Sequence, residues 1–360
     1  MGTDGVVAEA TATSEQTGRA LARALSGGDL SVPGHHVQRD DLSVELVGSG
    51  ESYAAWAVRP PNQAPQDTVL FRFPRRPPQE QPAEMAAEFA ALRQVPAHLG
   101  SRGIAMDDTT GNVLGRRYLV TTYVPGRVVD GALWTQDMLD AHTRHLADLH
   151  DATGRDHSAD LEVDPALTRP PARDLAAELS ADFDSWCAGA PQLAADSSAT
   201  WLVPAVLEHL QRRRWSFQHC GPPVLVHGDA VATNVVFDDA GTARSIDWEW
   251  AHVGDVAQDL AYVGGQVHGG PWYVPMSSAQ VEAQVWQYLR ARRTVEPTAE
   301  AFEVLLARRQ AWEVYERFMS SLHFERVHHA SPANHRYGPW VKTQRATLAH
   351  LLADVSRTDR

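Results

Sequence analysis

The chain has 360 residues, of which 43% are hydrophobic and 21% are charged, and its formal net charge is −13. This length suits a two-lobed enzyme or two compact domains, and the composition excludes a largely disordered chain. The negative charge argues against binding to nucleic acids or anionic membranes, because such a protein repels them, and it favours cationic ligands.

The cysteines and the N-terminus indicate a cytoplasmic protein. Cys187 and Cys220 are the only cysteines, so neither a disulfide framework nor a zinc-binding pattern is present. The first residues lack a basic start followed by an apolar run, so we expect no signal peptide. No stretch of sequence approaches the length of a transmembrane helix.

The N-terminal third is predicted to consist mainly of strands. We expect residues 1–15 to be disordered and residues 18–25 to form a short helix, because Leu21 and Leu25 lie four positions apart. Apolar runs between turn-forming segments predict the next elements. These are strands at residues 42–47, 53–59 and 68–73, a helix at residues 82–95, a turn at residues 107–112 and a strand within residues 117–124.

The remainder of the chain is predicted to be mainly helical. Helical spacing of apolar residues appears at residues 142–150, within residues 174–218 and from residue 277 to the end. Residues 224–250 form a short strand–turn–strand island. Strands with one helix, followed by helices with a small β insertion, predict an α+β protein with a small β-rich lobe and a larger helical lobe.

The island carries residues suited to phosphoryl transfer. An apolar run leads to a His-Gly-Asp loop ending at Asp229, Asn234 follows five residues later, and Asp247 ends another apolar strand. Phosphoryl transfer needs a carboxylate that orients the attacking hydroxyl and accepts its proton. It also needs an amide oxygen and a second carboxylate that hold Mg²⁺ against the phosphates. The alternative is a hairpin whose Asp and Asn residues only form turns, as we expect for residues 238–241.

These motifs resemble the aminoglycoside phosphotransferase family. Its His-Gly-Asp-x₄-Asn loop is present at residues 227–234, its Ile-Asp-Trp-Glu strand at 246–249, and its Gly-Asp-x₃-Asp-Leu-Ala segment at 254–261. The resemblance implies a bilobal protein-kinase-like fold. Residues 1–122 would form the nucleotide-binding lobe, and residues 123–360 the helical lobe with the catalytic loop and acceptor site.

The resemblance also assigns roles to individual residues. It implies that Asp229 is the catalytic residue and that Asn234 and Asp247 are Mg²⁺ ligands. It further implies that His227 supports the catalytic loop and that Asp259 braces it. A simpler interpretation of Asp259 is a negative charge near a helix N-terminus, which is favourable in any fold.

A turn between the first two predicted strands is the candidate phosphate-covering loop. Glycine in such a turn lets backbone N–H groups approach phosphate oxygens, although Gly-Ser-Gly is also a common hairpin sequence. The residues that we assign to this loop are Gly48, Ser49, Gly50 and Ser52.

The third predicted strand carries the candidate phosphate-binding cation. Arg72 stands where members of the family usually have Lys, and its expected partner is Glu88, with Glu84 as the alternative. Arginine keeps the role, because it is permanently charged and binds phosphate oxygens bidentately. The Arg-x-Pro-Arg-Arg sequence at residues 72–76 resembles the macrolide 2'-phosphotransferase branch. The segment that resembles the hinge against the nucleotide base consists of Thr122, Tyr123 and Val124.

The acceptor side is expected among the later helices. Residues 151–209 contain eleven Asp or Glu residues, three Arg and no Lys, which predicts a cation-binding surface or, alternatively, a solvated acidic helix face. Four aromatic residues in this part of the chain could stack on a sugar or macrolide, or could belong to the core. They are Trp186, Trp201, Trp272 and Tyr273.

Together these features predict an O-phosphotransferase that uses ATP or GTP with Mg²⁺. The expected acceptor is a hydroxyl of a cationic small molecule, namely an amine-bearing antibiotic such as a macrolide or aminoglycoside. The alternatives are a metabolic kinase for a sugar, choline-like or amino alcohol, and a nucleotide-binding pseudokinase, which would not need Asp229. The sequence identifies neither the nucleotide, the acceptor-binding residues nor the oligomeric state.

Overall fold

The computed structural model describes residues 3–35, 37, 41–61, 67–81, 84–154, 167, 174–221, 224–330 and 334–358. Contacts divide the chain into two compact units. The first comprises Met1–Gly126, Asp164–Leu167 and Ile246–Ala251, and the second comprises Arg127–Val163, Thr168–Ser245 and His252–Arg360. Within these described ranges, every helix is too short or too polar to cross a bilayer.

The first unit contains one antiparallel sheet of five strands, in the order β1-β2-β3-β5-β4, and two helices. The predicted strands at residues 42–47, 53–59 and 68–73 are present with shifts of one or two residues. In chain order the elements are α1 (Thr3–Ser26), β1 (Ser43–Ser49), β2 (Tyr53–Arg59), β3 (Val69–Pro74), α2 (Met85–Gln94), β4 (Gly103–Asp107) and β5 (Tyr118–Thr122).

The core of this unit lies between α1 and one face of the sheet. Leu21 and Leu25 of α1 are fully buried and share a cluster with Phe71 and Phe73 of β3. Since side chains alternate between the two faces of a strand, Arg72 between these phenylalanines lies on the opposite face. Burial of the apolar residues therefore fixes the direction of the one charged residue in this strand.

The prediction that residues 1–15 are disordered is wrong, because α1 begins at Thr3. This segment is rich in alanine and has no proline. It continues directly into the helical turns of α1 that contain Leu21 and Leu25 and pack against the sheet. Once those turns are fixed, each added residue contributes one more helical hydrogen bond without a new nucleation cost. Glu15 and Arg19 add an exposed ion pair of 2.9 Å at helical spacing.

The second unit is mainly helical and contains short strands. A pair β10-β7, a triplet β6-β8-β9 and a pair β11-β12 make up its described sheets. In chain order the elements are β6 (Arg127–Val128), α3 (Gln136–Ala152), α4 (Leu175–Gly189), α5 (Pro191–Asp196), α6 (Val203–Arg213), β7 (Val224–Val226), β8 (Val235–Phe237), β9 (Ala243–Ser245), β10 (His252–Gly254), α7 (Val256–Tyr262), β11 (Gly264–Gly265), β12 (Val274–Pro275), α8 (Ser278–Ala291), α9 (Ala299–Ala330) and α10 (Tyr337–Thr358).

Helix α9 lies in the core of this unit and carries buried charges as well as apolar residues. Arg309 is fully buried, pairs with Glu313 at 2.5 Å and donates to the carbonyl oxygen of Gly264 at 2.8 Å. Arg317 is also fully buried and donates to the carbonyl oxygen of Ala261 at 2.9 Å. These bonds satisfy the buried guanidinium groups and attach the end of α7 and the segment after it to α9.

The predicted α+β class is confirmed, since an antiparallel sheet dominates the first unit and helices dominate the second. The predicted turn at residues 238–241 is confirmed too. It joins β8 to β9, Asp238 accepts backbone hydrogen bonds from Ala240 and Thr242, and Gly241 has a left-handed φ of 77°. The assignment of nucleotide and acceptor roles to residues 1–122 and 123–360 stays a prediction.

Candidate active site

In the first unit, Arg72 is the centre of a buried cluster of charged side chains. It lies in β3, in the middle of the sheet, and its guanidinium forms ion pairs with Glu88 of α2 and with Asp247. The ring of Tyr53 lies 4.3 Å from the guanidinium carbon. The alternative partner Glu84 is exposed at the N-terminus of α2. The structure therefore forms the predicted pair of Arg72 with Glu88.

Burial and charge act in opposite directions on this cluster. Burial disfavours the charged guanidinium, but Glu88 and Asp247 outweigh it and raise the pKa of Arg72. For Glu88 burial prevails, so its pKa lies above its usual value despite the neighbouring Arg72. Arg72 thus remains a cation, held in one position by two carboxylates.

We predict that Arg72 acts in both stability and nucleotide binding. Replacing Arg72 by Ala leaves the buried Glu88 without its cation, which is expected to cost about 3–5 kcal/mol and to raise the KM for nucleotide. Arg72→Lys keeps a charge but loses the bidentate geometry, so partial activity is expected. Urea unfolding and steady-state kinetics would measure both effects, with the exposed Arg93→Ala in α2 as control.

A double variant separates the two roles. Arg72→Met with Glu88→Leu replaces the buried pair by apolar groups, so it is expected to recover much of the stability but none of the activity. If Arg72→Ala instead kept wild-type kinetics, the phosphate-binding cation would have to be Arg75 or Arg76.

The candidate phosphate-covering loop comprises the end of β1, where Gly48 and Ser49 pair with β2, and the turn that follows it. Its Gly50 N–H donates to the carbonyl oxygen of Tyr53 at 2.9 Å, and Arg75 donates to the carbonyl of Gly50. No atom lies within 4 Å of the position that a side chain on Gly48 would take, and neither glycine has a left-handed φ. The glycines are therefore not required by the turn itself; they leave its backbone uncovered, together with the neighbouring Ser49.

Ser52, the last predicted residue of this loop, has a partner that sequence reasoning did not assign. Its hydroxyl donates to Oε1 of Glu249 at 3.2 Å, which joins the β1–β2 turn to the Ile246–Ala251 segment. Burial raises the pKa of Glu249 to about 8, and the carboxylates of Asp247 and Glu88 add to this shift. The Ile-Asp-Trp-Glu motif contains Glu249, but nothing in the motif indicates a contact 197 residues away.

The candidate hinge follows β5. The Thr122 N–H donates to the Arg102 carbonyl at 2.9 Å, and the Tyr123 N–H donates to the Thr68 carbonyl at 3.2 Å. Both groups are thus used within the first unit. Of the three predicted hinge residues, Val124 is the one left to donate a backbone hydrogen bond to a base, and its role stays a prediction.

Asp247 has an unusual backbone conformation. Its φ is 64°, and among the described residues it is the one non-glycine residue with a positive φ. Its Oδ1 atom accepts from Arg72, while 40% of its side chain is exposed. Such strain is tolerated where surrounding contacts enforce it, and it occurs preferentially at functional sites.

In the second unit, the predicted catalytic loop is a compact hydrogen-bonded turn. The fully buried strand β7 leads into it, and Gly228 turns the chain with a left-handed φ of 74°. Asn234 then donates through Nδ2 to both the Oδ2 atom and the carbonyl oxygen of Asp229, at 2.8 and 3.0 Å. The structure thus brings Asp229 and Asn234 together and fixes which face of the amide points towards Asp229.

Asp259 holds the backbone of this loop. Its carboxylate accepts from the N–H groups of His227 and Gly228 at 2.8 and 2.9 Å and also contacts Nε2 of His150 at 3.1 Å. Burial alone would raise the pKa of Asp259, but the hydrogen bond and charge of His150 outweigh it and lower the pKa. Asp259 also lies in the first turn of α7, where its negative charge interacts favourably with the helix dipole.

Two further histidines support the loop. His227 is fully buried, and its Nδ1 accepts from the Asp229 N–H at 3.3 Å. His150 of α3 reaches Tyr288 of α8 through Nδ1 at 2.8 Å, in addition to Asp259. Sequence reasoning missed His150, because a single buried histidine 109 positions from its partner has no local signal.

The oxygens of Asn234 and Asp247 suit Mg²⁺ chemically. Since Asn234 uses its NH₂ group towards Asp229, its Oδ1 atom is left to accept or ligate. The Oδ1 atom of Asp247 accepts from Arg72, and the side chain of Asp247 is partly exposed. Mg²⁺ prefers carboxylate and amide oxygens and usually takes few protein ligands beside phosphates and waters. In the ranges that the structure describes, no group of three or more His, Cys, Asp or Glu side chains could hold a metal alone.

The four predicted aromatic residues differ in how far their side chains are exposed. Trp186 is buried and stacked on Phe183, and Trp201 is 85% exposed. Trp272 is half-buried, and Tyr273 is buried beside it with its hydroxyl 2.7 Å from Glu316.

The acidic stretch of residues 151–209 lies partly outside the described residues, at 155–166 and 168–173. Its cation-binding role stays a prediction.

Comparison with known proteins gives consistent matches. The sequence model described as "Phosphotransferase enzyme family" matches residues 43–302. A choline kinase structure from Cryptosporidium parvum Iowa II covers 92% of this chain and 94% of its own, with a TM-score of 0.62 and 11% identity. The macrolide 2'-phosphotransferase MphH from Brachybacterium faecium covers 91% and 97%, with a TM-score of 0.51 and 19% identity. No curated protein sequence matches.

The structure of aminoglycoside 2'-phosphotransferase-IIIa with GDP is a further match. It covers 93% of this chain and 98% of its own, with a TM-score of 0.55 and 15% identity. At these identities the structural matches establish the fold alone. The predicted protein-kinase-like fold is confirmed.

Proposed function

This chain belongs to the phosphotransferase enzyme family, and we propose that it transfers the γ-phosphate of ATP or GTP to a hydroxyl group of an amine-bearing small molecule. The family makes it a kinase-type enzyme. The observation that carries the proposal is the loop in which Asn234 orients Asp229 while the ionised Asp259 holds the backbone. A protein that only bound nucleotide would not need a positioned proton acceptor.

Asp229 is the proposed general base. It accepts the proton of the acceptor hydroxyl as that oxygen bonds to the γ-phosphorus. The bond from the γ-phosphorus to the bridging oxygen breaks, and the nucleoside diphosphate leaves with that oxygen. The hydrogen bond from Asn234 to Oδ2 holds the carboxylate in one orientation, as proton transfer from a positioned hydroxyl requires.

The remaining site residues bind and position the nucleotide. Asn234 and Asp247 would hold Mg²⁺, which neutralises phosphate charge when bound. Arg72 contacts phosphate oxygens, and Val124 offers its N–H to the base. The backbone at the end of β1 and in the following turn covers the phosphates through Gly48, Ser49, Gly50 and Ser52. We place the enzyme in the cytoplasm, where ATP, GTP and Mg²⁺ are available.

The proposed acceptor surface is an aromatic cluster that adjoins the catalytic loop. Trp272 stacks on Phe324 with ring centres 4.2 Å apart and meets Trp340 edge-on at 5.0 Å. All three are half-buried. The Ala232 N–H, three residues after Asp229, donates to the carbonyl oxygen of Trp272 at 2.8 Å. Such rings suit the apolar face of a sugar or macrolide, and they also suit a methylated ammonium group.

We propose two classes of acceptor. The Arg-x-Pro-Arg-Arg sequence at residues 72–76 and the net charge of −13 favour an amine-bearing antibiotic of the macrolide or aminoglycoside kind. The aromatic cluster gives a specific reason for the second candidate, a choline-like alcohol, because aromatic faces attract quaternary ammonium groups.

Phosphorylation of a panel of acceptors with ATP and with GTP tests the proposal. The panel contains a macrolide, an aminoglycoside, choline, ethanolamine and a neutral sugar. We expect transfer to one amine-bearing class, with kcat/KM well above that for the sugar. Transfer only to the sugar would contradict the amine requirement. Nucleotide binding without transfer to any acceptor would support the pseudokinase alternative.

We predict that Trp272→Leu raises the KM for the acceptor by about tenfold and leaves the KM for nucleotide unchanged, because a stacking surface is lost. Trp201→Leu is the matched control, since that indole is exposed. Equal acceptor KM values for the two variants would place the acceptor elsewhere.

A further inference from the structure

A cavity of about 310 Å³ lies between the C-terminal part of α9 and the N-terminal part of α10. None of the residues assigned above to nucleotide, metal or acceptor lines it. Its polar lining consists of Ser198, Glu325, His328, His329, Lys342 and Arg345. The cavity is therefore a separate polar site within the second unit.

The charge around this cavity is opposite to that of the protein as a whole. Between residues 323 and 345 the chain has four Arg or Lys residues, four His residues and one acidic residue, Glu325. Lys342 is the only lysine in the entire chain. In a protein with a net charge of −13, such a concentration of basic groups creates a local attraction for anions.

The floor of the cavity is fixed by one buried ion pair. Arg345 binds both carboxylate oxygens of Glu325, at 2.7 and 2.8 Å, and Ser197 donates to the same carboxylate at 2.7 Å. Arg345 also donates to the Ser198 hydroxyl at 3.1 Å. Since Arg345 and Glu325 neutralise each other, the charge left to attract a ligand comes from Lys342.

Lys342 and His328 present polar atoms at the cavity. Lys342 is exposed, and within the described residues its ammonium makes no hydrogen bond or ion pair. His328 directs Nδ1 to the carbonyl oxygen of Asn334 at 3.3 Å, so Nδ1 carries the proton and Nε2 is free to bind a ligand. A side chain on Gly338 would lie 2.9 Å from Cε1 of His328, so the glycine makes room for this ring.

The chemistry of the site favours an anion over a metal ion. Over the described parts of the chain, no three His, Cys, Asp or Glu side chains are arranged to hold a metal, and this includes His328, His329 and Glu325. A phosphate group carries a charge of about −1.5 to −2 and three strong acceptor oxygens. The ammonium of Lys342 offers three donors, and Nε2 of His328 can accept from a hydroxyl group of the ligand.

We propose that this cavity binds a small phosphate monoester. Its volume is at the lower end of the range of about 300–1,000 Å³ for ligand pockets, which suits a phosphate with a short organic group better than a nucleotide. Lys342 is the principal phosphate contact, and Nε2 of His328 accepts from a hydroxyl of the organic group.

The single lysine gives a direct test. Protein labelled with ¹³C-lysine has one lysine side-chain signal in its NMR spectrum, and we expect glycerol 3-phosphate to shift it saturably. Glycerol and acetate should leave it in place, and inorganic phosphate should act only at higher concentration. No saturable shift, or tighter binding of inorganic phosphate than of glycerol 3-phosphate, would overturn the proposal.

Calorimetry on variants tests the role of Lys342 itself. Lys342→Gln is expected to weaken glycerol 3-phosphate binding about tenfold, since one charge-assisted contact is lost. Arg326→Gln removes the same charge from an exposed position of α9 outside the lining, and it should change the affinity less than about twofold. Equal losses in both variants would show a diffuse charge effect and would contradict a built site. Thermal unfolding of both variants checks that each is folded.

Discussion

Asp229→Asn is expected to lower kcat by about 10²–10⁴-fold while nucleotide affinity stays close to that of the wild type, because the proton acceptor is lost and the shape is kept. The asparagine can still present an oxygen to the Nδ2 atom of Asn234, so the loop should hold its conformation. Single-turnover kinetics with saturating nucleotide would measure the chemical step, and calorimetry would measure the nucleotide Kd.

The matched control for this variant is Asp239→Asn. Asp239 lies ten residues later in the exposed β8–β9 turn, so it removes the same charge without touching the loop. It should keep wild-type kcat. If Asp229→Asn also turned over at the wild-type rate, Asp229 could not be the general base.

Asp247→Asn is expected to raise the Mg²⁺ concentration for half-maximal activity by at least about tenfold and to lower kcat as well, because a charged ligand is lost. Asparagine is the informative replacement. It tolerates the left-handed φ of 64° better than other residues, so the change tests the charge rather than the backbone. Alanine at this position would add backbone strain of about 1–2 kcal/mol, so the effect of the lost charge could not be separated from the effect of that strain.

Mg²⁺ titrations of activity and of fluorescent-nucleotide binding would give two independent measurements for Asp247. Asn234→Ala should shift both curves in the same direction. Asp238→Asn provides a control with the same change of charge, since Asp238 stabilises the β8–β9 turn and pairs with Arg244 at 3.2 Å. Unchanged metal dependence in both site variants would remove Asp247 and Asn234 from the set of ligands.

The sequence predicts the parts of this protein whose signals are local. The sheet of the first unit follows from short apolar runs between turns, and the catalytic loop follows from fixed spacing between Asp229 and Asn234. The pairing of Arg72 with Glu88 is expected from the family resemblance, which places a cation on the third strand opposite a Glu of the next helix.

What the sequence does not reveal depends on contacts between distant positions. Ser52 meets Glu249 across 197 residues, and His150 meets Asp259 across 109, without any periodicity that would indicate either pair. The extent of α1 was missed for a different reason. Polar, alanine-rich sequence is compatible with both disorder and helix, and it is the attachment of Leu21 and Leu25 to the sheet that favours the helix.

The inclusion of Ile246–Ala251 in the first unit has a consequence for synthesis on the ribosome. Domains generally fold as the chain emerges, N-terminal part first. Here the carboxylate of Asp247 that pairs with Arg72, and the carboxylate of Glu249 that binds Ser52, emerge more than 120 residues after the last strand of the sheet. Until then the nascent sheet holds Arg72 with Glu88 alone. The N-terminal unit can therefore be completed only after most of the chain has been translated, which couples maturation of the proposed nucleotide-binding residues to synthesis of the proposed catalytic loop.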